Sequence, residues 1–176
     1  FVNNIHNSGF ILENLLFQFD IPIVSSIIRT SHLSESGLSF DESITASEEY
    51  CLFMQLAARF PIGVSSNITT KYRIDPNSLT SKSLAVLGKE RRYTLNKILN
   101  DFPKFKIKYK FAFKEAYARS DYYDARFFMK DGYKLKALKS LAPNIFISYK
   151  YFFLATLSLF PVFVWNYIHY KFKNRV

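Results

Sequence analysis

Two carboxylates stand side by side at Glu48-Glu49, directly after Ser47 and directly before the apolar run Tyr50-Cys51-Leu52-Phe53-Met54. Acidic residues in that position suit the first turn of a helix, where they meet the positive end of its dipole. A carboxylate at a helix start, next to a loop, faces a cleft, and a pair can leave one member free as a general base for a hydroxyl group. Adjacent glutamates are also ordinary helix-end chemistry, so spacing alone leaves both readings open. Phe40-Asp41-Glu42 precede the pair, and Tyr72-Arg73-Ile74-Asp75-Pro76-Asn77-Ser78 follow it. The other reactive residue types do not cluster. His6, His32 and His169 lack metal-ligand spacing. Ser25-Ser26 sits in no Gly-x-Ser-x-Gly elbow, and the five glycines form no phosphate loop. Cys51 is the single cysteine, which excludes an internal disulfide and a cysteine-based zinc site.

The elements that must position these groups change character near residue 80. Residues 9–17 are helix-compatible, and the β-branched run Ile21-Pro22-Ile23-Val24-Ser25-Ser26-Ile27-Ile28 reads as a strand. Thr30 or Ser31 can cap a short helix through Glu35, which Gly37 ends. With Ser47 as N-cap, Leu52, Leu56 and Phe60 predict a helix from Glu48 to about Phe60, stopped by Pro61. Residues 62–74 alternate loosely and read as one or two strands before a turn at Asp75-Pro76-Asn77-Ser78. Beyond residue 80 the pattern is helical: Ser81–Asn100, Lys104–Ser120 and Tyr122–Leu141. Ala116, Ala118 and Ala125 permit close approach within a helical hairpin like one unit of a tetratricopeptide array, but a single pair makes no array.

At 176 residues, 49% hydrophobic and 18% aromatic, the chain can bury one core and is not a disordered segment. Charge is divided unevenly. Residues 1–80 carry four Lys/Arg against eight Asp/Glu, a net of −4; residues 81–176 carry twenty against six, a net of +14. A basic half suits an anionic partner. Nucleic acid is not the expected one, because the Lys104–Phe113 run belongs to no recognised nucleic-acid module. Tyr151 to Tyr170 contains no charged residue and has basic residues on both sides, which suits an anionic membrane surface. Pro161 interrupts this stretch, which favours a helix lying in the interface over one that spans or one buried in protein. No charged segment followed by an apolar one opens the chain, so no signal peptide is read, and the start at Phe1 suggests a piece of a longer protein.

Taken together, the turn at Phe40-Asp41-Glu42, the pair Glu48-Glu49 and the element Tyr72-Arg73 with Ser78 resemble the acceptor-side half of family 2 glycosyltransferases, over about residues 9–80. Members show a GGFDE-like turn, an acidic pair opening a helix, and a strand ending in YR-x-H-x-x-S. The resemblance implies an α/β fold: the C-terminal part of a GT-A mixed sheet, followed by an all-α basic tail and an apolar C-terminal helix. It implies Glu49 as the catalytic base and Glu48 as a residue orienting it. Arg73, Asp75, Ser78 and Asp41 are its substrate-binding candidates, and Asp75 is also the candidate metal ligand. The implied reaction moves a sugar from a nucleotide-diphospho-sugar donor to a saccharide or lipid-linked acceptor with inversion, in surface-polysaccharide synthesis at the cytoplasmic face of a membrane. The implied cofactor is a divalent metal, Mg2+ or Mn2+.

The chain departs from that pattern at three positions: Glu49 stands for the usual Asp, Gln55 for Arg, and Asp75 for His. It also contains no Asp-x-Asp, the metal-holding signature of the family's donor half. The resemblance therefore implies a C-terminal piece that does not transfer sugar alone. It divides into residues 1–80 (acceptor side), 81–149 (basic helical part) and 150–176 (apolar membrane-associated helix). The rival expectation is a non-enzymatic basic helical membrane adaptor.

Overall fold

The computed structural model describes residues 8–65, 67–71 and 83–173, with side chains to Ile168. Among these residues there are nine α-helices and no strand. They are α1 (Leu12–Phe17), α2 (Thr30–Ser36), α3 (Glu48–Arg59), α4 (Leu84–Asp101), α5 (Phe105–Lys108), α6 (Lys110–Lys130), α7 (Lys134–Leu141), α8 (Tyr149–Leu157) and α9 (Val162–Lys173).

The expected α/β fold with a GT-A mixed sheet is thus overturned for the described residues. The β-branched run at 21–28 contains a 3-10 turn at Ile23–Ser25 and leaves Ile27 99% exposed. A strand needs a partner to satisfy its backbone groups, and none lies beside this segment. Among the described residues, extended pairing is confined to one isolated antiparallel bridge, where Gly9 and Ile62 exchange N–H to O bonds of 2.9 and 2.8 Å.

Helix α3 is the centre of the first core. All residues from Tyr50 to Ala58 are buried, as expected of a helix enclosed on every side. Tyr50, Met54 and Ala57 pack with Leu12, Leu15 and Leu16 of α1, Leu95 and Ile98 of α4, and Phe113 and Ala116 of α6. On the other flank, Leu52, Phe53 and Leu56 take Phe19, Ile28, Leu33 and Leu38. Helix α2 ends as its glycine predicts, with Gly37 at φ 64°.

Helix α6 joins this core to a second one. Its 21 residues extend about 32 Å at the usual rise. The C-terminal half contributes Ala118, Ala125 and Met129 to a cluster with Leu141 of α7, Tyr151 and Leu157 of α8, and Trp165 of α9. The expected break between Ser120 and Tyr122 is absent. The Ser120 hydroxyl donates to the Ala116 carbonyl within the helix at 3.1 Å, and Asp121 finds Arg92 and Asn144. The chain turns instead at Gly132, where φ is 79°. The expected C-terminal apolar helix is two helices, separated at Ser158–Pro161. No helix among the described residues is long and apolar enough to cross a membrane.

Helices α4 and α6 cross at Gly88. A Cβ there would sit 2.7 Å from the Ser120 carbonyl oxygen and collide with the Asp124 carboxylate. That carboxylate is fixed, because Arg92 donates to Asp124 at 2.6 Å and to Asp121 at 2.9 Å. Gly88→Ala is expected to destabilise the fold by ~1–3 kcal/mol despite alanine's better helix propensity. Urea denaturation gives the value, and a stabilised variant would contradict the close approach.

Candidate functional site

The start of α3 is set from outside the helix. Ser47 occupies the N-cap position as the sequence predicts, but its hydroxyl does not cap α3. It donates to Glu90 Oε2 of α4 at 2.9 Å. The same Glu90 carboxylate accepts from the Thr45 amide at 2.8 Å, the Thr45 hydroxyl at 2.6 Å and the Ala46 amide at 3.1 Å. Burial raises the Glu90 pKa, but these four donors outweigh it and the net shift is downward. Glu90 therefore grips the loop as a carboxylate and delivers Glu48 and Glu49 to their places.

Asp41 forms a second attachment. Its Oδ1 accepts from the Ser43 hydroxyl at 2.6 Å and amide at 3.1 Å, and its Oδ2 from Tyr93 at 2.9 Å and Lys97 at 3.1 Å. The Ser43 hydroxyl, then Tyr93, hold the Asp41 carboxyl far below the usual carboxylate range. Four bonds to its own protein make Asp41 an anchor of the loop.

Glu90, Tyr93, Lys97 and Asp101 recur along α4 at intervals of three and four, on one helix face. The last completes the series by pairing with Arg59 of α3 at 2.5 Å. None of the four figures among the sequence candidates. Their spacing was the available signal, a polar stripe on an otherwise amphipathic helix.

The acidic pair itself lies half-buried at the α3 start. Desolvation raises the Glu49 pKa above its ordinary value and the charges of Glu48 and Glu90 add to it, while a hydrogen bond from its own backbone amide and, less strongly, the charge of Arg91 pull it down. The Arg91 guanidinium is held between the rings of Tyr50 at 4.3 Å and Tyr123 at 4.7 Å. Glu48 Oε2 and Arg91 Nε are both buried without a hydrogen-bond partner.

An open hollow of about 400 Å3 lies on the other side of the loop, lined by Phe40, Asp41, Gln55, Arg59, Lys97 and Asp101 among others. Of the expected site residues it receives Asp41; Glu48 and Glu49 do not line it. Gln55 is 1% exposed there and bonds the Cys51 carbonyl at 3.1 Å. Cys51 is buried, with its thiol pKa raised by that burial, which disfavours the reactive thiolate. His32 stacks on Phe60 with centroids 4.1 Å apart, a packing role.

Arg73, Asp75 and Ser78 lie outside the described residues. Among the described residues no three His, Cys, Asp or Glu side chains come together to hold a metal ion. Asp75, the candidate ligand for the divalent metal that the resemblance implies, lies outside those residues.

No protein-family model, curated protein or solved structure matches the chain. With no family match and no strand among the described residues, the resemblance to family 2 glycosyltransferases is corrected: membership is not supported, nor is its GT-A sheet.

Two outcomes test the loop attachments. Glu90→Ala strips a buried carboxylate from four donors and is expected to cost ~2–3 kcal/mol in urea denaturation at neutral pH, with Glu90→Gln costing less. Because the folded Asp41 pKa lies below the unfolded one, its contribution is complete above the unfolded value and is lost as pH falls towards the folded one. Asp41→Asn should therefore lower Tm by several degrees at neutral pH. Wild type and variant should converge in acid; a gap that persists there would refute the carboxylate's role.

Proposed function

We propose that Glu49 is the general base of a glycosyl transfer from a nucleotide-diphospho-sugar to a saccharide or lipid-linked acceptor. The observation that carries the reading is the raised proton affinity of a half-desolvated carboxylate at a clamped helix start. A base poised nearer to neutral pH takes a proton more effectively than an ordinary solvated glutamate.

In this reading the acceptor hydroxyl gives its proton to a Glu49 carboxylate oxygen. The hydroxyl oxygen bonds to the anomeric carbon as the bond from that carbon to the diphosphate breaks. The electron pair leaves with the nucleoside diphosphate, and the configuration inverts. Desolvation keeps Glu49 basic, like-charge repulsion from Glu48 adds to it, and the charge of Arg91 limits the effect.

The test is transfer of labelled sugar by the intact gene product carrying Glu49→Gln. The expected loss in kcat is about a hundredfold or more, with a smaller loss for Glu48→Gln. In the wild type, rate should fall as pH drops through the raised Glu49 pKa, and that acid limb should vanish in the variant. Near-normal turnover by Glu49→Gln rejects the assignment.

A further inference from the structure

Helix α8 and the first turn of α9 carry bulky apolar side chains on both sides. Their inner faces bury Tyr151, Leu154 and Leu157 of α8 and Trp165 of α9 in the second core. Their outer faces should be polar if they met water, as in an ordinary surface helix. Instead Tyr149, Phe152 and Phe153 follow one another at helical spacing on the outside of α8, and Phe160 and Phe163 continue the series at the turn and on α9. Tyr149 is 89% exposed and Phe163 72% exposed; Phe146, just before α8, is 95% exposed.

Charge says what covers this face. From Gly132 to Val176 the sequence has seven Lys/Arg and no Asp or Glu. A protein partner would need an acidic counterpart shaped to bulky rings, whereas an anionic bilayer surface supplies negative charge and an adaptable apolar boundary together. Helix α8 spans only about 14 Å at the usual rise, far less than a bilayer core. A helix of this length lies in the plane of the interface, where Tyr and Phe rings reach the boundary between headgroups and acyl chains.

We propose that the outer face of the α8–turn–α9 unit docks in the headgroup zone of a bilayer containing anionic lipid. This face is separate from the Glu49 region, and its role holds whether or not Glu49 acts as a base.

The test is co-sedimentation of the full chain with phosphatidylcholine vesicles containing about a quarter phosphatidylserine, against pure phosphatidylcholine. The expected result is binding that favours the anionic vesicles and weakens as salt rises from about 50 to about 500 mM. Phe152→Ser and Phe163→Ser should each weaken binding about tenfold. Both positions are exposed, so far-UV circular dichroism should be unchanged. Absence of binding at low salt, equal binding to neutral vesicles, or indifference to both substitutions overturns the proposal. A vesicle-independent dimer that the same substitutions dissociate also overturns it, by assigning the face to a second copy.

Discussion

A single carboxylate decides how the two parts of the first core meet. Glu90 projects from α4 and accepts four hydrogen bonds from Thr45, Ala46 and Ser47, the residues that lead into α3. A buried carboxylate is costly unless its lone pairs are met, and this one is met by two amides and two hydroxyls. The bonds join residues more than forty apart in sequence. They fix both the direction in which α3 leaves its loop and the depth at which Glu48 and Glu49 sit.

The consequence runs along α4. Once Glu90 holds the loop, Tyr93 and Lys97 reach Asp41 and Asp101 reaches Arg59, so one helix face carries a line of polar contacts beside an apolar one. Helix α3 can then be apolar around most of its circumference: its charged groups are confined to the two ends, and the buried Gln55 amide bonds back to the Cys51 carbonyl. The same economy appears where α4 crosses α6. Gly88 provides the space, and Arg92 neutralises Asp121 and Asp124 beside it. Tyr151 closes the second core against α6 by donating to Glu115 at 2.7 Å.

Much of the helical part was legible. Gly37 ends α2, Ser47 precedes α3, and Pro61 follows it, because each acts through backbone geometry within a few residues. The strand expected over residues 21–28 does not form, since β-branched composition describes a preference that only a pairing partner can realise. Ser120-Asp121 looked like a helix boundary because short polar side chains compete locally with the backbone. Their tertiary partners remove that competition and α6 runs through. Glu90 was not legible as a clamp, because its four donors lie more than forty residues away in sequence.

What the residues determined by themselves was local or compositional: most helix ends, the acidic first turn of α3, and the segregation of positive charge into the second half. Tertiary structure alone decided that Asp41 is an anchor, that Glu90 is a clamp, and that the hollow beside α3 excludes Glu49. It also decided which side of the aromatic C-terminal helices faces outward. Helix-ending signals act over a single turn, and charge adds up without regard to geometry. The partners of a carboxylate and the exposed side of a ring depend on elements brought together from distant parts of the chain.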